Sequence, residues 1–357
     1  MFASTHLPST QHGQSTRRPS RRTTQLLILT MLCCATVHSH AQVSLPPTNL
    51  GDTSFRDGIA GPGALLEHSL SFYRATRLTD ADGDAQPQFD QLEVGALVTH
   101  VARITDRRIF GGNWGFEALL PIVSSASSPS PATSYSRSGL GDLTVSAFIL
   151  QWPARDLGTG RLWQRLNLAV TAPTGQYDAQ SPMNIGSNTW IFNPHYAFTW
   201  EAASGWELSG RIHYLWPGEN EQPPTPIARG STKAGEAVHL NLSVSYEMSQ
   251  RLRLGIATYA LRQVSEDRID GRELRGSREA SFGIGPGLQY QSRFGDLFIN
   301  SYVETAARNR PQGAKVIVRW AFPFAADTRQ AQSANTPERS CSDHDVASNP
   351  QSRRCAK

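Results

Sequence analysis

Residues 236–248 read EAVHLNLSVSYEM, and the alternation along them is nearly unbroken. Val238, Leu240, Leu242, Val244, Tyr246 and Met248 fall on one face, and Ala237, His239, Asn241, Ser243, Ser245 and Glu247 fall on the other. Successive side chains of a strand point to opposite faces, so this period of two predicts a β-strand with one apolar and one polar side. Residues 206–216 repeat the pattern, with Trp206, Leu208, Ile212, Tyr214 and Trp216 set against Glu207, Ser209, Arg211 and His213. Runs at 162–173, 188–200, 278–292 and 314–324 follow it, and weaker ones fit at 64–74, 89–104, 113–123, 139–152, 251–264 and 296–306. The expectation is an all-β chain of about twelve antiparallel strands between residues 64 and 324.

Soluble sandwiches and lipocalin-like barrels also have period two, and the connections discriminate. The connections 75–88, 124–138, 174–187, 217–235 and 265–277 are long, whereas those between them (105–112, 153–161, 201–205, 249–250 and 293–295) are shorter. An outer-membrane barrel sorts its loops in this way, with tight periplasmic turns on one rim and external loops on the other. Tryptophan placement agrees. Trp114, Trp152, Trp163, Trp200 and Trp206 flank the short connections, where indole can anchor at the headgroup interface, and Trp190 and Trp216 lie at the opposite rim. Lipid also demands closure, because an open sheet edge there leaves backbone groups unpaired.

The fold expected is therefore an antiparallel outer-membrane β-barrel in the bacterial cell outer membrane, with lipid as its surroundings and a monomer as its state. Glu117, Arg165, Glu207, Arg211, His213, His239, Glu247, Arg253, Glu279, Glu304 and Arg319 fall on the polar face and are the lumen-facing candidates. Most of these are expected to pair across the lumen. Residues 42–63, rich in Pro and Gly, form a candidate N-terminal periplasmic or plug-like segment, and 325–357 a polar, disordered tail.

The 357 residues carry 34 Lys+Arg against 30 Asp+Glu, a formal net charge of +4. Arg17, Arg18, Arg21 and Arg22 account for that excess and precede the apolar run Leu26 to Val37 and the small-x-small triplet Ser39-His40-Ala41. This order predicts a signal peptide over 1–41. The chain after Ala41 would be formally neutral, which argues against nucleic acid as a partner. Cys33 and Cys34 lie in the leader and Cys341 and Cys355 in the tail, where export permits a disulfide. No later stretch is apolar over the 18 or so residues that a membrane helix needs.

Motifs for chemistry are sparse. Lys233, Lys315 and Lys357 follow Thr, Ala and Ala, so the Gly-Lys step of a P-loop is missing, and neither G-x-S-x-G nor H-E-x-x-H occurs. Gly283, Gly285 and Gly287 alternate within a strand, where they relieve crowding on the lumen side. Asp80, Asp82 and Asp84 have the spacing of a calcium loop, but Gln91 stands where the bidentate Glu belongs. His213 and His239, counted outward from loop 217–235, face each other near the external mouth and with Glu236 could bind a metal or act as a base. Polar lumen residues without chemistry remain the expectation for that pair, with no metal, no cofactor and no enzymatic activity.

Several short motifs then come in a characteristic order. They are Gly112-Asn113-Trp114-Gly115-Phe116 with Leu120-Pro121-Ile122, Gly139-Leu140-Gly141-Asp142-Leu143, and Pro173-Thr174-Gly175-Gln176-Tyr177-Asp178. Asn184-Ile185-Gly186 with Trp190, and Ala307-Arg308-Asn309-Arg310-Pro311 before Phe322-Pro323-Phe324, complete the set. Together they resemble the "MetA-pathway of phenol degradation" family of bacterial outer-membrane proteins over roughly residues 55–324. The resemblance implies a barrel that acts as a transporter or channel for hydrophobic compounds, and it carries over no catalytic residues. The function expected is passive uptake of a small, hydrophobic or aromatic solute, with first contacts at Tyr73, Phe89, Tyr135 and Tyr177. The alternatives are a barrel hydrolase using the histidine pair and a structural or adhesive barrel.

Overall fold

A computed structural model describes residues 43–130, 133–225 and 230–323. The expectations for the leader, the tail and all four cysteines fall outside the described residues. Regular structure in the described residues is all β. The barrel wall begins with β1 (Gly63–Leu78), β2 (Gln91–Ile109) and β3 (Gly112–Ser130), followed by β4 (Thr133–Leu140) and β5 (Leu143–Asp156). It continues with β6 (Gly160–Ala172), β7 (Ile191–Ala202) and β8 (Trp206–Pro217), and, after the short β9 (Thr232–Lys233), with β10 (Ala237–Ser249) and β11 (Leu252–Gln263). Two more short strands, β12 (Asp267–Ile269) and β13 (Arg272–Leu274), precede β14 (Ala280–Ser292), β15 (Gly295–Arg308) and β16 (Pro311–Pro323).

Each wall strand pairs antiparallel with its neighbours, and β1 meets β16 from Leu65↔Pro323 to Leu78↔Pro311, which closes the ring. The wall is a twelve-stranded barrel with β4 as an extra strand that continues β5 past a break and pairs with the outer half of β3. β9, β12 and β13 form a separate small sheet in the external loops.

The environment is written in which face is buried. Val244, Tyr246 and Met248 are 44%, 38% and 58% exposed, whereas His239, Asn241 and Ser245 on the same strand are 1%, 2% and 1% exposed. The same inversion puts Phe72, Ile122, Ile212, Ile256, Val303 and Trp320 outside. Such a surface in water would forfeit about 25 cal/mol for each Å² of apolar area, whereas in hydrocarbon it matches its solvent.

Several expected connections are largely strand. Residues 105–112 shrink to the turn Phe110-Gly111, whose φ angles of 51° and 77° meet the type I′ requirement for positive φ at both central positions. Residues 124–130 and 133–138 become the outer ends of β3 and β4, hidden in the sequence by the apolar-poor run SSASSPS at 124–130. The last external turn, Asn309-Arg310, is short and is sheltered by the first external loop, with Asn309 N donating to Asp80 O at 2.9 Å and Thr79 N to Arg310 O at 3.1 Å. Asp80 itself folds that loop, its Oδ1 accepting from the backbone of Asp82 (3.0 Å) and Asp84 (2.8 Å).

Three of the sequence motifs converge on the break between β4 and β5. Asp142 accepts hydrogen bonds from Gly175 N (2.8 Å), Ser187 N (2.7 Å) and Ser187 Oγ (2.6 Å), and Leu143 N donates to Thr174 Oγ1 at 2.9 Å. A Cβ on Gly175 or on Gly186 would stand 2.8 Å from the other's backbone, so this crossing admits only glycine. One carboxylate thus ties the wall strand to the long loop after β6.

Outside the wall, Asp267 is fully buried, its Oδ1 accepting from Gly235 N (2.9 Å) and Gln263 Nε2 (2.6 Å). Burial pushes its carboxyl up to about 6, against those hydrogen bonds.

Two outcomes are expected. Asp142→Ala strands three donors and lowers the melting temperature, at a cost of about 2–4 kcal/mol, measured by heat-modifiability on gels; an unchanged transition would show that the crossing is not structural. The raised carboxyl of Asp267 means that the folded loop binds a proton more tightly than the unfolded one, so protection of residues 232–274 from hydrogen exchange increases as pH falls from 7 to 5. Asp267→Asn should flatten that dependence.

Candidate functional site

The lumen is occupied by the chain's own N-terminal segment. Leu45 N donates to Glu279 Oε1 (2.8 Å) and Lys315 Nζ to Leu50 O (2.9 Å), while Tyr302 Oη donates to Gly51 O at 2.9 Å. Asn241 brackets the same stretch, accepting from Gly51 N at 2.8 Å and donating to Asn49 O (3.0 Å) and Thr53 Oγ1 (2.9 Å). Lower down, Gly58 N donates to Thr199 Oγ1 at 2.8 Å and Gly58 O accepts from Gln151 Nε2 at 3.1 Å. Residues 45–58 therefore run along the axis, from the external ends of β14 and β16 to the periplasmic ends of β7 and β5.

Glycines make room for this thread. Gly51, at φ 75°, lies so close to Tyr259 and Tyr302 that a Cβ would meet their rings at 2.9 and 2.8 Å. The alternating glycines of β14 act from the wall side, since a Cβ on Gly283 would strike Tyr259 at 2.3 Å and one on Gly287 would meet Phe55 at 2.8 Å.

Several charged groups lie around the segment in the lumen. Asp57 is held by Arg211, whose Nε donates to Oδ2 at 2.9 Å and whose Nη2 donates to Oδ1, and Arg165 adds a bond to Asp57 O at 2.7 Å. Glu67 takes Arg319 at 3.2 Å and His100 at 3.8 Å, and His100 reaches Glu117 at 3.0 Å, which accepts from Asn167 Nδ2 at 2.6 Å. Arg253 links Glu207 (3.3 Å) to Glu247 (3.2 Å). Elsewhere Glu304 gathers Tyr73 Oη (2.7 Å), Tyr259 Oη (2.8 Å) and Gly313 N (2.9 Å), and Arg310 meets Glu279 at 2.8 Å.

The sequence-predicted lumen residues Glu117, Arg165, Glu207, Arg211, Arg253, Glu279, Glu304 and Arg319 all enter these networks. Glu247 lies on the inward parity of β10 but at the rim, 48% exposed. His213 and His239 are directly paired across β8 and β10, and each is 1% exposed. Glu236 is not with them; it accepts from Tyr214 Oη on the outward parity. Their third member is His195, opposite His213 across β7 and β8, with ring centroids 4.5 Å from His195 to His213 and 4.0 Å from His213 to His239. No group of three or more His, Cys, Asp or Glu among the described residues is arranged to hold a metal.

Two further expectations change. Trp163 pairs with Thr199, whose hydroxyl bonds the lumen segment, so its ring faces inward and its Nε1 is buried; a strand-end position marks the rim but not the face. Trp114, Trp152, Trp200 and Trp206 keep the outward parity, with Trp114 Nε1 bonded to Ala147 O (3.0 Å) and Trp152 Nε1 to Phe110 O (3.1 Å). Tyr73 is a lumen residue on Glu304, not a loop contact, and Tyr177 Oη ties its loop to the next external loop by donating to Gln222 O. Residues that sequence reasoning missed are Asp57, Glu67, His100 and His195. His195 had a signal: it and His213 are equidistant from Ser204, in the turn between β7 and β8.

Comparison with known proteins places this architecture. The COG4313 outer membrane channel from Pseudomonas putida F1 superposes with a TM-score of 0.65 at 17% identity, covering 79% of this chain and 100% of that one. The β domain of the Bordetella autotransporter BrkA gives a TM-score of 0.45 at 12% identity, covering 74% of this chain and all of that one. No curated protein sequence matches. The closed, lipid-facing barrel puts the protein in the bacterial outer membrane. The family described as "Putative MetA-pathway of phenol degradation" matches residues 75–320, and the chain belongs to that family.

Proposed function

We propose that the protein is a monomeric outer-membrane channel for passive entry of small hydrophobic or aromatic solutes, and not an enzyme. The observation that carries this reading is the lumen itself. A barrel packed shut needs only side chains across it, whereas here a separate, turn-containing segment, residues 45–58, lies along the axis on hydrogen bonds and ion pairs. A path lined by polar wall residues and filled by a non-wall segment of the same chain suits transit better than adhesion. The family description, with its reference to phenol degradation, supports an aromatic solute, and the similar Pseudomonas barrel is itself described as a channel.

The hydrolase alternative finds no hydrogen-bonded nucleophile among the described residues. The one hydrogen bond to the stacked imidazoles is His213 Nδ1 with Asn193 Oδ1 at 3.1 Å, and among the described residues no hydroxyl bonds any of the three. Activation of a serine or threonine requires such a contact.

The test is solute entry into liposomes carrying the refolded protein, with phenol-like compounds, sugars and ions of similar size compared. Faster entry of the aromatics than in protein-free liposomes is expected; a folded barrel that passes none of them would end the channel reading. Arg211→Ala leaves the buried Asp57 carboxylate with only Arg165, destabilising the seated segment by about 3–5 kcal/mol and raising ion conductance in planar bilayers.

A further inference from the structure

Among the described residues, the largest single group of buried polar atoms without a hydrogen-bond partner lies on one row of the wall. His195 Nδ1, His213 Nε2 and both ring nitrogens of His239 have no hydrogen-bond partner among the described residues, although the residues are 6%, 1% and 1% exposed. Asn167 Oδ1, on the residue paired with His195 across β6 and β7, is unpartnered too. Buried nitrogens of this kind carry a desolvation penalty that a bound solute or an ordered water offsets. The rings do not converge on a point as metal ligands would.

The neighbours on either side of the row define the ligand. One inward position toward the exterior, β8 carries Leu215 and β10 carries Ala237, and Leu261 stands opposite His239 on β11. These belong to an apolar cluster with Ile191, against which Leu45 of the lumen segment packs. One inward position toward the periplasm come Arg211 and Asn241, both already taken by Asp57 and by the segment backbone. A solute that takes the place of Leu45 against this cluster therefore meets apolar side chains and, beside them, unpaired imidazole nitrogens.

We propose that His195, His213 and His239 form the hydrogen-bonding station for the hydroxyl of a phenolic solute whose ring sits in the collar of Ile191, Leu215 and Leu261. This deepens the channel reading and rests on it. A neutral imidazole offers one acceptor nitrogen and one N–H donor, and a phenol hydroxyl both donates and accepts, so one solute hydroxyl can serve two neighbouring rings. Toluene would leave the nitrogens unpaired, and benzoate, an acceptor only, could take the N–H donors but would leave the acceptor nitrogens unpaired. A site built around buried hydrogen-bonding groups rejects an analogue that lacks the matching group.

The experiment is a titration of the refolded full chain, labelled with ¹⁵N-histidine, using phenol and toluene in parallel. His195→Gln, His213→Gln and His239→Gln assign the ring signals. The expected result is that those three imidazoles shift with phenol and not with toluene. In liposomes, the double variant His213→Leu/His239→Leu should lower phenol entry relative to toluene entry by about fivefold or more. If the variants fail to insert, the wild-type titration decides alone. Imidazole signals that ignore phenol, or that move equally with toluene, overturn the station; if phenol still enters the liposomes, the channel reading survives without it. Phenol-specific shifts without phenol entry would leave the station standing and remove the channel.

Discussion

Every peptide group between Gly63 and Pro323 that meets hydrocarbon has to find its partner inside the sheet, because lipid offers none. The seam of β1 with β16 is where that requirement is finally met. Once the ring is closed, the rest is constrained by parity. Outward positions must be apolar, and inward positions face a space too wide for aliphatic side chains to fill. The inversion along β10, with Val244 outside and Asn241 inside, follows from closure in lipid and not from any property of that strand alone.

A polar interior has its own difficulty, since each buried charge must be paired. The wall solves part of this between its own strands, as in the run from Arg319 through Glu67, His100 and Glu117 to Asn167. The remainder depends on residues 45–58. Asp57 pairs with Arg211 and Arg165, and the backbone from Leu45 to Gly58 occupies Glu279, Lys315, Asn241 and Thr199. Segment and wall complete one another electrostatically. The stacked histidines are the conspicuous place where neither does.

The strands and the membrane were legible because both are written in a period of two, and β6, β8, β10, β11 and β14 lie within a few residues of where alternation puts them. The turn at Phe110-Gly111 was not, since Phe is a poor advertisement for a left-handed backbone. Parity also identified most wall charges of the lumen, including Arg211 and Glu304. Asp57 was out of reach, because a coil residue has no face to count from and its partners are more than a hundred positions away. Trp163 shows the converse limit: proximity to a turn gives depth in the bilayer and says nothing about direction. Resemblance located the motifs, yet only the fold showed that three of them meet at Asp142.

The axial segment also bears on how the molecule is made. Residues 45–58 emerge early in synthesis, but several of their partners come late, with Leu45 bonded to Glu279, Gly51 to Tyr302 and Leu50 to Lys315. Contacts that distant in sequence form only as the last strands arrive. Threading a finished ring would mean dragging charged Asp57 past an already paired interior. The simpler order is for the wall to assemble around the segment, which then acts as a mandrel that the barrel is wrapped on before β16 reaches β1.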